Sequence, residues 1–148
     1  MESDIVTARG GRPVSLRISV TDRCQMRCIY CMPPGGVAKV GRDRILSYEQ
    51  IARFVNLVMR HFGLSKAHIT GGEPLVRPGI VRLVEMLSAE GVPDLALTTN
   101  GQELAAMAGR LRSAGLHRVN VSLDTLDSGV FAALTGGGRI GPVLEGIR

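Results

Sequence analysis

Thr21-Asp22-Arg23-Cys24-Gln25-Met26-Arg27-Cys28-Ile29-Tyr30-Cys31-Met32-Pro33 contains every cysteine of the chain, spaced C-x3-C-x2-C. Three thiolates this close together suit a metal–sulfur centre. An iron–sulfur cubane held by three cysteines leaves one iron without a protein ligand. An open coordination position is where a metal site does chemistry. Two other readings compete. Free cysteines are commonly small buried hydrophobes, but three in one short loop, flanked by Arg23 and Arg27, are poorly explained that way. Structural zinc asks for a fourth ligand, and the nearest histidines, His61 and His68, lie outside the loop.

The chain around this loop has 148 residues, the size of one domain. Aromatic residues make up only 3%, so the core must be built from Leu, Ile, Val, Ala and Met. The net charge is +5, carried mostly by arginine, and would attract an anionic ligand such as a nucleoside triphosphate. The basic residues are scattered and have no aromatic interleaving, which argues against a nucleic-acid surface. An odd number of cysteines in one loop does not read as disulfide staples. The opening Met1-Glu2-Ser3-Asp4 is acidic and polar, unlike a signal peptide. No apolar run reaches the roughly 18 residues that mark a membrane span. A reduced, cytoplasmic setting is the expectation.

Working outward from the loop, residues 1–15 read as an irregular lead-in, and Leu16 to Val20 alternate as a strand does. Residues 32–46, opening on Pro33-Pro34-Gly35-Gly36, read as a long loop. Ser47 and Gln50 form a capping-box pattern. It starts a helix with Ile51, Phe54, Val55, Val58 and Met59 on one face, ended by Gly63. A strand over Lys66 to Thr70 leads to the turn Gly71-Gly72-Glu73-Pro74. Pro78 is placed in the first turn of a second helix, with Ile80, Leu83, Val84 and Leu87 buried. Leu95 to Thr99 is a third strand. Leu104, Met107, Ala108 and Leu111 mark a third helix, and Arg118 to Leu123 a fourth strand. A short helix over Ser128 to Leu134, a glycine loop over Gly136 to Gly141, and a helix starting at Val143 complete the chain.

Strand and helix alternating at this spacing predict βαβ units and a parallel sheet. About four units fit, whereas a closed eight-fold barrel needs about 250 residues. The expected class is therefore α/β, a partial (β/α) barrel forming the front part of a longer protein. Strand parity places Arg17 and Ser19 opposite Leu16, Ile18 and Val20. It likewise places His68 and Thr70 opposite Ala67 and Ile69, and Asn120 and Ser122 opposite Val119, Val121 and Leu123. Helices should cover the apolar face. The polar face should line a concave ligand site near the carboxyl ends of the strands.

The cysteine spacing resembles the signature of the radical S-adenosylmethionine (SAM) superfamily. The longer string D-R-C-x-x-R-C-x-Y-C-M-P resembles the GTP 3',8-cyclase family of molybdenum cofactor biosynthesis, and the likeness runs from about Pro13 to Arg148. The resemblance implies a radical SAM core domain over residues 1–148, incomplete at its C-terminal side. It implies a [4Fe–4S] cluster on Cys24, Cys28 and Cys31, with SAM on the open iron. By the same resemblance SAM is held by Tyr30, by the Gly71, Gly72, Glu73 and Pro74 turn, whose backbone receives its amino group, and by Ser122. GTP would be met by Arg17, Thr99 and the residue at His68. His68 departs from the family, which carries an arginine there, and parity favours Thr98 and Asn100 over Thr99 as inward-facing residues.

The activity so implied is reductive cleavage of SAM to a 5'-deoxyadenosyl radical. That radical removes hydrogen from C3' of GTP, whose carbon radical then attacks C8 and gives (8S)-3',8-cyclo-7,8-dihydroguanosine 5'-triphosphate. A flavodoxin- or ferredoxin-like electron donor is implied. An unfinished sheet edge makes homodimerisation an expectation. The family also carries a second cluster on later cysteines that binds guanine, and this sequence has no cysteine after Cys31. Two further readings stay open: a radical SAM enzyme with another substrate, and a non-catalytic iron–sulfur or zinc-binding remnant.

Overall fold

The computed structural model describes residues 13–33, 35, 36 and 38–148. Four strands, β1 (Val14–Ser19), β2 (Leu64–Thr70), β3 (Leu95–Thr99) and β4 (Arg118–Val121), pair in sequence order, all parallel. Between and after them lie α1 (Tyr48–Phe62), α2 (Ile80–Ala89), α3 (Leu104–Ser113), α4 (Ser128–Thr135) and α5 (Ile140–Ile147). Strands laid down in order with right-handed crossovers put successive helices on one face of the sheet. This is the α/β, four-unit arrangement that the alternation predicts. No helix among the described residues is long and apolar enough to cross a membrane.

The core lies between that face and the helices. Ala67, Ile69, Leu95 and Leu97 point into it from the strands, against Ile51 and Val55 of α1, Leu83, Val84 and Leu87 of α2, and Leu104 and Leu111 of α3. Arg17 and Ser19 alternate onto the face away from the helices, as parity requires. β4 departs from clean alternation, because it pairs only with β3 and Val119 stays 38% exposed at this edge.

Several boundaries differ from the sequence reading, each for a local reason. β1 begins at Val14, inside the expected lead-in, because Val14 N–H bonds Gly63 O at 2.9 Å and Ser65 Oγ bonds Val14 O at 3.0 Å. Residues 1–12 of that lead-in, and residues 34 and 37 of the expected loop, lie outside the described residues. The loop is irregular apart from a 3-10 turn at Arg42–Arg44. The Ser47–Gln50 capping box is present in both directions, at 3.2 and 2.7 Å. Phe54 is 52% exposed rather than buried. It lies about 100° around the helix from Val55, off the stripe of Ile51, Ala52, Val55 and Val58.

Pro78 precedes α2 instead of opening it. The residue before a proline is pushed out of helical geometry, and Arg77 is extended (ψ 118°), so a 3-10 turn at Pro74–Val76 comes first. β4 stops at Val121, though Ser122 N–H still bonds Thr99 O at 2.8 Å. α4 is capped by Asp127, whose Oδ1 accepts from Val130 N–H at 2.8 Å. α5 starts at Ile140, so Gly141 is helical and Pro142 occupies the first turn, where its missing N–H costs little.

Candidate functional site

The cysteine loop is held from behind by the end of the described chain. Arg27 N–H bonds Thr135 O at 2.9 Å and Ile29 N–H bonds Leu134 O at 3.0 Å, fixing the loop to the last turn of α4. Met26 is buried against Phe131 and Val143, and Cys24 and Cys28 pack on the same small cluster. Gly136 is left-handed (φ +67°), and a Cβ there would sit 2.8 Å from Arg27 O, so this approach needs glycine. Cys28 O accepts from both Cys31 N–H (3.0 Å) and Met32 N–H (2.8 Å), closing the loop. All three cysteines are free thiols, Cys24 and Cys28 partly buried and Cys31 exposed.

The Gly-Gly-Glu-Pro turn leans on the entry to that loop. Gly72 N–H bonds Thr21 O at 2.6 Å and Glu73 N–H bonds Arg23 O at 2.7 Å. A Cβ on Gly71 would lie 2.6 Å from Thr21 O, and one on Gly72 would collide with Arg23 O. The two glycines thus allow one stretch of backbone to pass close against another. Glu73 is buried to 1% exposure. Its carboxylate accepts from Leu75 N–H (2.9 Å), Thr99 Oγ1 (2.8 Å) and Asn100 N–H (2.7 Å). Burial pushes its pKa up, while these three donors pull it down. Glu73 therefore clamps the end of β2 to the end of β3.

One cleft of about 210 Å³ collects most of the expected site. Cys24, Cys28, Cys31, Tyr30, Gly71, Gly72, Glu73, Thr99 and Ser122 line it, with Met26, Thr70, Thr98, Asn100, Asp124 and Thr135. It opens at the carboxyl ends of the strands, where the fold class places ligand sites. Pro74 is buried in its 3-10 turn and is not a lining residue. Tyr30 Oη donates to Asp124 Oδ2 at 2.6 Å, which ties the cysteine loop to the loop after β4. That bond, then burial, raises the Tyr30 pKa. Cys24 also has a raised pKa, chiefly from burial, with N–H donors from Met26 and Asn100 opposing it. A larger hollow of about 420 Å³ lies between Val20, Ile45, Tyr48 and Arg77. There Arg77 is committed to Val20 O and Leu46 O, both at 2.7 Å, and stacks on Tyr48.

Arg17 and His68 stand apart from the cleft. They face each other across β1 and β2. They lie one inward-facing row, roughly 6.6 Å, below Ser19 and Thr70. Arg17 is exposed. His68 is buried, and its Nε2 is 2.6 Å from Thr98 Oγ1. Burial lowers its pKa, helped by Lys66, Arg17 and Arg118. Arg118 itself is paired with Asp94. Thr99 is 1% exposed and its hydroxyl is spent within the protein: it donates to Glu73 and accepts from Gly101 N–H at 3.0 Å.

Three thiols on one cleft wall fit an iron–sulfur group by the chemistry of the donors. The nearby carboxylates are already engaged: Glu73 by three donors, Asp124 by Tyr30. Among the described residues, no three His, Cys, Asp or Glu side chains converge on a single point in the way one metal ion would require. Sequence reasoning missed Met26 and Thr135 as parts of this site. It named neither Asn100 nor Asp124 as a site residue, although strand-end position and, for Asn100, inward-facing parity were signals available.

These features define a class. The radical SAM superfamily model matches residues 18–148, and the chain belongs to that superfamily. Within it, the chain is 48% identical over 134 residues to the GTP 3',8-cyclase of Listeria monocytogenes serovar 1/2a, covering 90% of this chain and 40% of that protein. It is 48% identical over 148 residues to the enzyme of the same name from Peptoclostridium acidaminophilum, covering 99% and 45%. For Thermodesulfovibrio yellowstonii the identity is 51% over 134 residues, covering 89% and 41%. The chain thus spans less than half the length of these curated relatives. Among solved structures, Streptococcus suis SuiB bound to precursor peptide SuiA superposes with a TM-score of 0.69 at 20% identity, over 92% of this chain and 30% of that one. TYW1 with a lysine-pyruvate adduct bound gives 0.59 at 17% identity, over 88% and 48%. At these identities the two structures speak for the fold.

Proposed function

We propose that this chain is the SAM-cleaving part of a GTP 3',8-cyclase acting in molybdenum cofactor biosynthesis. The observation that supports this most is the single cleft shared by the three cysteines, the Gly71–Glu73 turn and Ser122, in a chain 48% identical to cyclases. Cys24, Cys28 and Cys31 would hold a [4Fe–4S] cluster. When bound, that cluster supplies the electron that cleaves SAM reductively.

The protein's own contribution is positioning. The N–H groups of Gly72 and Glu73 are used on Thr21 and Arg23, so the turn has carbonyl oxygens left to offer. Those suit the ammonium group of SAM. Tyr30 has its hydroxyl on Asp124 and so presents its ring to the cleft, while the exposed Ser122 offers a hydroxyl. Arg17 presents a guanidinium suited to phosphate oxygens. Thr99, through Glu73, acts on the turn rather than by direct contact with GTP. A flavodoxin- or ferredoxin-like donor in a reducing cytoplasm would supply electrons, and a homodimer is part of the same proposal.

A second reading, a different substrate, is favoured by His68. A neutral imidazole bound to Thr98 brings no charge to a triphosphate. The test is anaerobic reconstitution, reduction, and incubation with SAM and GTP deuterated at C3'. Deuterium in the 5'-deoxyadenosine formed supports GTP as substrate. Unlabelled 5'-deoxyadenosine favours the second reading. Absence of iron–sulfur absorption after loading eliminates both.

A further inference from the structure

The side chain of Asn100 is aimed at a ligand sulfur. Its Oδ1 accepts from Gln102 N–H at 3.1 Å, which decides which end of the amide is oxygen. Its Nδ2 therefore faces the cysteine loop, 3.6 Å from Cys24 Sγ and 3.2 Å from Gln25 Oε1. Its backbone N–H is gripped by Glu73 Oε2, and Thr99 beside it by Glu73 Oε1. A buried carboxylate thus fixes the backbone from which the amide reaches the sulfur. Met26 N–H is a second donor to the same sulfur, at 3.4 Å.

We propose that Asn100 is a positioning residue for the cluster, fixing Cys24 Sγ through an N–H···S bond and raising the reduction potential. The inference rests on the reading of the three cysteines as cluster ligands. Hydrogen bonds to the sulfurs are among the terms that set an iron–sulfur potential. A donor at a thiolate favours the reduced, more negative state. The carboxylate of Glu73 acts on the cluster at one remove, by holding the backbone of Asn100.

The test uses the full chain, reconstituted anaerobically from protein grown on asparagine labelled with 15N in the amide. Only Asn56, Asn100 and Asn120 carry the label. Pulsed EPR of the reduced cluster should show a 15N coupling that Asn100→Ser erases. Serine keeps an oxygen for Gln102 N–H and the backbone N–H for Glu73, but it falls short of Cys24. The variant should load iron and melt like the unaltered chain. Its midpoint should move negative by about tenfold in the reduction equilibrium, ~59 mV for one electron. An unchanged midpoint in loaded Asn100→Ser overturns the proposal. So does a loaded, unaltered chain without 15N coupling, which decides the matter even where the variant fails to fold. A chain that takes up no cluster overturns the ligand reading too, and is recognised by the lack of any reduced-cluster signal.

Discussion

The cleft and the row beneath it are built on opposite terms. Around the cleft, the supporting groups are engaged inside the protein: Glu73 takes three donors, Tyr30 holds Asp124, and the cysteine loop hangs from α4 by its backbone. One row down, Arg17 is exposed and the His68 side chain is bonded to Thr98. A cleft that is to hold a cofactor, as proposed, binds better when it is ordered beforehand. A row that is to meet a substrate, as proposed, can stay open. The difference teaches where substitutions should be felt as folding and where as binding.

The largest effect should come from the three cysteines, the proposed cluster ligands. Cys28→Ala is expected to abolish iron–sulfur loading, measured as iron and sulfide per chain after anaerobic reconstitution. Next comes the clamp. Glu73→Ala strands three donors, two buried and one partly buried, and a buried donor costs about 1–3 kcal/mol when unsatisfied. A loss of about 3 kcal/mol or more in urea unfolding is expected, and a loss below about 1 kcal/mol would break the claim that the cleft is preformed. Gly72→Ala drives a methyl into Arg23 O, and overpacking of this kind costs about 1–3 kcal/mol.

The lower row should behave otherwise. Arg17→Ala is expected to change stability by no more than about 0.5 kcal/mol, as at other exposed sites. It should nevertheless weaken nucleotide binding in calorimetric titration. His68 gives the smallest effect and a sign. Its pKa in the fold is depressed by burial and then by Lys66, Arg17 and Arg118. The neutral form is favoured, so its contribution is complete above about 6.5, the ordinary histidine value, and is lost as pH falls toward the depressed value. Urea midpoints between pH 5 and 8 should fall on acidification in the unaltered chain and fall less in His68→Gln.

Much of this was legible in the residues, for identifiable reasons. Period-two alternation put Arg17 and Ser19 on the concave face away from the helices, and helix and strand spacing gave the parallel sheet. The capping box at Ser47 is a local pattern and reads locally. Parity also favoured Thr98 over Thr99 as inward-facing, and Thr99 proves to be buried on Glu73. What failed to show was long-range. Nothing near residue 135 announces that Thr135 O supports Arg27, or that Gly136 must be small for that reason. By resemblance, the backbone of the glycines at 71 and 72 faces the amino group of SAM. Their tightest neighbours are Thr21 and Arg23, and a sequence does not reveal which strands of backbone will touch.

The support of the cysteine loop by α4 and Val143 carries a consequence for synthesis. The three thiols leave the ribosome early, and the residues that back them come near the end of the described chain. At translation speeds of about 5–20 residues per second, the gap between them is roughly 5–20 s. For that interval the loop has no floor, and its cysteines are as accessible to oxidants and stray metal ions as those of an unstructured peptide. Maturation of the proposed centre is therefore expected to follow completion of the α4–α5 segment, and metal delivered to the nascent chain should be held loosely until then.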